Sequence, residues 1–253
     1  MISEGLVSVI TPNYNGSRFI AETIESVLAQ TYSKWEMIII DDGSTDHSVT
    51  IIQEYVQKDP RIVLLQQENA GSASARNKGI RHANGQYICL LDADDIWELN
   101  FLESQIHFLK EKKAAVVFAS YKLINEQSKD IRLPVLARPS ITYRQMLVTN
   151  FIGCLTGLYD RTKYGKIYLR EELKSLRDDY AYWLDIMKQS DIAYGNLEIL
   201  AKYRVRRAST TGKKLALIKA QFAFYKNYLR FGYWQSLLNT VYWGFCGFSK
   251  FSK

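Results

Sequence analysis

Cysteine is scarce in this chain. Cys89, Cys154 and Cys246 are scattered, odd in number and never arranged as C-x-x-C. That pattern excludes a disulfide framework and gives no sign of a zinc site. A reduced, cytosolic setting fits, and Cys89, inside an apolar run, reads as core. Prolines number only four, and no low-complexity stretch or internal repeat divides the chain. No apolar run approaches the roughly 18 residues that a membrane-crossing helix requires. Met1-Ile2-Ser3-Glu4-Gly5 lacks a basic n-region, so no secretory leader is expected. Acidic residues are missing altogether after Glu198.

What remains is ample material for a folded body. The chain has 253 residues, 47% of them apolar, enough for one large α/β domain with an appendage. Its net charge of +7 is unevenly placed: eleven Lys or Arg lie from Lys202 onward, leaving 22 basic against 26 acidic residues before it. A mildly acidic body therefore carries a basic C-terminal segment, which suggests an anionic partner such as a membrane or a phosphate.

The stretch Tyr87-Ile88-Cys89-Leu90-Leu91-Asp92-Ala93-Asp94-Asp95 organises the reading. An apolar strand ends in three carboxylates within four residues. Open α/β sheets bind ligands outside the carboxyl ends of their strands. Carboxylates this crowded repel one another unless a cation lies between them, and oxygen donors favour Mg²⁺ or Mn²⁺. A helix start is the plainer alternative, and Asp95 suits it best.

Before that stretch, strands and helices alternate. Leu6–Ile10 reads as a strand that stops at the turn run Thr11-Pro12-Asn13-Tyr14-Asn15-Gly16. Ile20, Ile24, Val27 and Leu28 recur at helical spacing. Trp35–Ile40 is a strand ending in Asp41-Asp42-Gly43-Ser44, then a helix carries Val49, Ile52 and Val56. Ile62–Leu65 is a third strand, and Gly71–Ala83 a helix bearing Arg76. Such alternation predicts a Rossmann-like, mostly parallel, doubly wound α/β sheet. The loops after the first, second and fourth strands then share one edge, gathering Tyr14, Asp41, Asp42, Asp92 and Asp94. Taken singly, each has a plain reading as turn, cap or solvated face; jointly they point to a site.

The second half mixes α and β: a helix Phe101–Lys113, a strand Ala114–Tyr121 continued by Lys122–Leu133 as a hairpin arm, a short helix Tyr143–Thr149, and a strand Cys154–Tyr159. Asp178 and Asp179 open a further helix, where backbone N–H groups favour acids; one of them is alternatively a general base. Ile192–Tyr203 is the last strand, and the loop from Arg204 to Gly212, with Arg206 and Arg207, suits phosphate. Beyond Leu215, aromatics mix with Lys and Arg, which reads either as a membrane-interfacial helix or as one packed on the body.

Six motifs now stand in order: Val9-Ile10-Thr11-Pro12-Asn13-Tyr14-Asn15, Ser26-Val27-Leu28-Ala29-Gln30-Thr31, Ile39–Asp46, Gly71–Gly79, Leu91–Asp95, and Asp178-Asp179-Tyr180 ahead of Trp183. Across residues 7–184 the chain resembles the family 2 inverting glycosyltransferases of the GT-A fold. The resemblance implies a GT-A domain over 1–212, with a nucleotide-binding half about 1–113 and an acceptor-side half about 114–212. Residues 213–253 form a basic, aromatic helical extension outside the resemblance. It implies that Thr11, Pro12 and Tyr14 wall the base of a nucleotide-sugar, UDP-linked by preference, and that Asp42 accepts from the base edge beside Asp41. Arg76 then holds base or ribose, Asp92 and Ala93 lie near the ribose, and Asp94 with Asp92 ligates Mn²⁺ or Mg²⁺. Asp179 is the implied general base, although the family's usual Glu-Asp pair is Asp178-Asp179 here. Arg204, Arg206 or Arg207 is left to neutralise the diphosphate. The expected acceptor is a saccharide, lipid-linked in view of the tail, with the protein peripheral on the inner face of the cell membrane and no nucleic acid involved. A nucleotidyltransferase is the competing enzyme reading, but no glycine-rich arginine loop follows the first strand. Single-strand nucleic-acid binding by the tail is the non-enzymatic one.

Overall fold

A computed structural model describes residues 2–173, 177–206 and 214–251, the side chains of 214–216 and 246–251 excepted. The first half alternates as β1 (Ser3–Asn13), α1 (Ile20–Leu28), β2 (Trp35–Asp41), α2 (Ser48–Lys58), β3 (Ile62–Gln66), α3 (Ser72–His82) and β4 (Gly85–Leu90). These four strands run parallel: Val9 pairs with Met37 on one side and Cys89 on the other, and Ile38 with Val63. Parallel strands are covered on both faces, which is why they read as unbroken apolar runs. Side chains alternate between two cores. Val7, Val9, Met37, Ile39 and Cys89 pack with α1 and α2 on one face. Ile10, Ile38, Ile40, Ile88 and Leu90 meet α3 on the other.

The second half adds β5 (Ile96–Trp97), α4 (Phe101–Glu111), β6 (Val116–Ile124), β7 (Ser140–Thr142), α5 (Tyr143–Met146), β8 (Leu158–Asp160), α6 (Arg161–Tyr164), α7 (Asp178–Ser190) and β9 (Ile192–Arg204). Strand order is β3-β2-β1-β4-β8-β6-β9-β5, with β7 on β9. β8 is antiparallel to β4 and β6, while β6 and β9 are parallel. The mixed α/β fold with a mostly parallel sheet is thus present.

Several local expectations change. β1 does not stop before Thr11; Pro12 still pairs with Ile40 and Asn13 with Asp41. β4 has left β1 after Ile10, so Pro12 stands where β1 has one neighbour only, and proline is tolerated there. Asp95 starts no helix: a turn leads into β5, and α4 begins at Phe101. The hairpin arm shrinks to isolated bridges, Tyr121 with Val135 and Ile124 with Asp130. Cys154–Thr156 is a 3-10 turn before the short β8.

At the C-terminal end, α8 (Lys214–Ala223) runs into a π-helical turn, Phe224–Tyr228, and then α9 (Tyr233–Phe251). Phe224 stacks on Tyr180 of α7 at 4.7 Å, and both are buried. This part of the extension packs on the body. α9 behaves differently: Trp234, Leu238, Val241, Tyr242 and Phe245 are exposed, while Ser236 and Thr240 are buried. No helix among the described residues is long and apolar enough to cross a membrane.

Candidate active site

The loops after β1 and β2 are sewn together at the sheet edge. Asn13 Nδ2 donates to Asp41 at 2.8 Å, and the other Asp41 oxygen accepts from the Ser44 N–H at 3.0 Å. Asn15 N–H donates to Ser44 Oγ, Gly16 N–H to Ser48 Oγ, and Ser17 N–H to Asp46, all at 2.9–3.0 Å. Burial works against the Asp46 charge, yet hydrogen bonds from Ser48 and Ser17 hold its pKa down to about 2. Asp42 accepts from Gln67 Nε2 at 2.7 Å, Ala70 N–H at 2.9 Å and Gly71 N–H at 2.8 Å. It therefore shapes the approach to α3, which Gly71 enters at φ +90°, a conformation that favours glycine.

These loops place the residues expected around the base unequally. Tyr14 is 54% exposed and free to stack. Thr11 is fully buried, and its hydroxyl has no partner among the described residues. Pro12 is half-buried. Ala93 faces the first loop: a side chain added at Gly16 would meet its Cβ at 3.6 Å.

The acidic turn after β4 is wired to three arginines. Arg76, buried on α3, reaches Asp92 at 2.5 Å and Asp178 at 3.1 Å. Arg206 Nε lies 2.7 Å from Asp94. Burial raises the Asp94 pKa, and the neighbouring Asp92 charge raises it further. Asp95 is buried and accepts the Arg204 backbone N–H at 2.9 Å, so it anchors β9 rather than facing the edge. Arg204 is spent as well. Its guanidinium donates to the Asp94 carbonyl, the Asn125 carbonyl, Ser128 and Glu22 at 2.5–3.0 Å. That removes it from the diphosphate candidates and leaves Arg206; Arg207 and the hydroxyl-rich run to Gly212 lie outside the described residues.

Asp92 and Asp94 keep partly open side chains, 31% and 18% exposed. Their hard oxygens and mutual repulsion fit a divalent cation of the Mg²⁺ or Mn²⁺ type. No group of three metal-type side chains converges among the described residues. Such an ion would draw its remaining ligands from substrate and water.

Asp179 is the second residue of α7, in its first turn. Burial and the adjacent Asp178 charge raise its pKa. Asn150 Nδ2 approaches it at 3.3 Å, and Tyr180 Oη bonds the Met146 carbonyl, tying α7 to the segment after α5. Neither the Asn150 contact nor the Arg76–Asp178 pair was visible in sequence. Arg76 thus joins the acidic turn after β4 to the first turn of α7.

A family model for glycosyl transferase family 2 matches residues 8–177. The chain belongs to that family. A family 2 glycosyltransferase is an enzyme that transfers sugars, and the named relatives agree. The chain is 40% identical over 222 residues to the putative teichuronic acid biosynthesis glycosyltransferase TuaG of Bacillus subtilis, covering 87% of each. It is 38% identical over 219 residues to WfgD of Escherichia coli, covering 86% of this chain and 84% of that one. WfgD is named a UDP-Glc:alpha-D-GlcNAc-diphosphoundecaprenol beta-1,3-glucosyltransferase. Among solved structures, S. aureus TarS 1–349 in complex with UDP has the same fold, with a TM-score of 0.70 at 20% identity over 96% of this chain and 72% of that one. The mannosyltransferase PcManGT from Pyrobaculum calidifontis, solved with GDP-Man and Mn²⁺, gives 0.67 at 19% identity over 89% and 64%.

Proposed function

We propose that this family 2 glycosyltransferase moves a hexose or N-acetylhexosamine from a UDP-sugar to a hydroxyl of a lipid-linked saccharide, with inversion, in polysaccharide assembly. The observation that carries the reading is the pair Asp92 and Asp94 at the sheet edge, joined through Arg76 to the acid pair of α7. Tyr14 stacks on the base, with Thr11 and Pro12 behind it. Asp42 holds one lone pair toward the base edge beyond the three donors it already accepts. Residues 1–113 serve the donor, 114–212 the acceptor, and 213–253 form the extension.

Asp179 removes the acceptor proton as the hydroxyl attacks the anomeric carbon; its raised pKa makes it a stronger base than an ordinary carboxylate. Asn150 holds that carboxylate in place. One in-line displacement converts an α-linked donor to a β-linked product. Asp94 and Asp92 would hold Mn²⁺ or Mg²⁺, which when bound supplies charge stabilisation to the departing diphosphate. Arg206 shares that task, moving from Asp94 to phosphate oxygens. The names of WfgD and TuaG support a diphospholipid acceptor and a place in envelope polysaccharide synthesis; the enzyme then works peripherally at the inner face of the membrane.

A donor screen with Mn²⁺ present tests the reading. Release of nucleoside diphosphate from a UDP-sugar in the presence of acceptor is expected. Release of inorganic diphosphate from sugar phosphate and nucleotide would instead make the protein a nucleotidyltransferase. No turnover of any nucleotide-sugar would overturn the glycosyltransferase reading.

A further inference from the structure

One cleft on the acceptor side has no part in the site so far. Its volume is about 480 Å³, and it lies between α9 and the chain leading from α5. Val148 and Phe151 form one wall; Leu238 and Tyr242 of α9 form the other. The same two α9 residues belong to the exposed apolar stripe, so cleft and stripe are continuous. Arg138 stands in the lining with its guanidinium 4.0 Å above the Phe151 ring. It has no ion-pair partner among the described residues, and the lining contains no carboxylate. Apolar walls with one unpaired cation suit a ligand that is hydrocarbon at one end and anionic at the other.

The cleft is also close to the chemistry. Asn150, between Val148 and Phe151, is the residue that touches Asp179. Tyr225 Oη bonds the Val148 carbonyl, and Tyr180, next to Asp179, bonds that of Met146. The wall is therefore pinned to α7 through Asp179 and Tyr180, and to the π-helical turn through Tyr225. A second cation reaches α9 just outside the lining, at the residue after Tyr242. Arg177 precedes Asp178-Asp179 at φ +70°, with its guanidinium 4.6 Å from the Trp243 ring of α9. Its Nε and Nη2 are buried without a partner among the described residues. Buried donors left unmade are costly, and an anion would satisfy them.

We propose that this cleft seats the first isoprene units of a lipid-diphosphate acceptor, with Arg138 and Arg177 holding the diphosphate. The inference rests on the glycosyltransferase reading and adds where the lipid end of its acceptor lies. An acceptor sugar attached to that diphosphate would extend along the Val148–Phe151 wall toward Asp179. The bilayer-facing stripe would deliver the chain to the cleft mouth.

Calorimetric titration of the full chain separates the possible ligands. Farnesyl diphosphate is the probe, with farnesol and inorganic diphosphate as its two halves and UDP as the monitor of the donor site. Farnesyl diphosphate is expected to bind once per chain and more tightly than either half. Arg138→Ala and Leu238→Asp, both at exposed positions, should each weaken it about tenfold, the loss of one charge-assisted contact or one apolar wall. Thermal melting shows whether each variant is folded. Affinity unchanged in both variants, or inorganic diphosphate binding as tightly as farnesyl diphosphate, would overturn the assignment. Failure of UDP alone, with farnesyl diphosphate still sensitive to both substitutions, would strike the donor reading and leave the lipid cleft standing.

Discussion

At the residue scale, two carboxylates carry opposite consequences for activity and stability. Asp179 is half-buried beside the buried Asp178, and desolvation together with that neighbouring charge raises its pKa. The folded protein therefore holds a proton on it more tightly than the unfolded chain does. Stability from this group is lost, not gained, as pH rises above the ordinary carboxylate value of about 3.9. Asp179→Asn removes that penalty. The variant should melt higher than the parent at neutral pH, and the gap should close below the carboxylate range. Transfer should vanish while UDP binding persists, and the parent's kcat/KM should fall as pH drops through the raised value. Melting scans at acid and neutral pH, UDP titration and transfer assays across pH check these outcomes; wild-type turnover by the variant would remove Asp179 from the base role. Asp94→Ala makes a different test. It deletes one proposed metal ligand and frees Arg206, so Mn²⁺-dependent turnover should disappear with little change in melting. Metal dependence left intact would exclude Asp94 as ligand. Both acids were legible in sequence because each follows or opens a periodic element. Their partners were not: Asn150–Asp179 spans 29 residues and Arg76–Asp178 spans 102, and no local pattern encodes contacts so distant.

At the element scale, the half of the fold built from parallel strands could be read from the chain, since burial on both faces leaves continuous apolar runs of distinct length. In the other half β6 and β9 could be read as well, β8 only in part, and β7 not at all. β7 and β8 have three residues each, too few to show a period, and their pairing is set by β9, β4 and β6 elsewhere in the chain. Those short pieces nevertheless position α7. Gly157, immediately before β8, has no room for a side chain: a Cβ there would lie 2.1 Å from Cζ2 of Trp183, the fully buried residue one turn after Asp179. Gly157→Ala must push Trp183 and with it the start of α7. Overpacking of this kind costs about 1–3 kcal/mol, or several degrees of melting temperature for a chain of this size. Transfer should fall by more than UDP affinity does, because the donor loops lie on other elements. Calorimetry and UDP titration on the variant check this. Equal loss of both would mean that α7 is not positioned separately from the donor half.

At the scale of the whole molecule, charge and apolar exposure coincide at one end. All acidic residues precede α8, and α9 turns its bulky side chains outward with Trp234 74% and Phe245 71% exposed. The spacing of Trp234, Leu238, Val241, Tyr242 and Phe245 places them on one helical face. An inward face of Ser236 and Thr240 beneath an outward apolar face reverses the order expected of a helix covering a soluble core. A membrane surface would resolve the inversion: the aromatics would enter the headgroup region while Lys219, Lys226 and Arg230 would meet anionic lipid. Fully burying a large apolar side chain contributes about 1.5–3 kcal/mol, so replacing Trp234 and Phe245 together by Gln should weaken vesicle binding by tenfold or more. Flotation with phosphatidylglycerol-containing and pure phosphatidylcholine vesicles measures it. Binding should be stronger to the anionic vesicles, fall with added salt, and collapse in the double variant, whose UDP affinity reports an intact donor site. A self-associating α9 would behave otherwise. The parent would sediment as a dimer that the double variant breaks, and neither form would float, because the same stripe would already be covered by its copy.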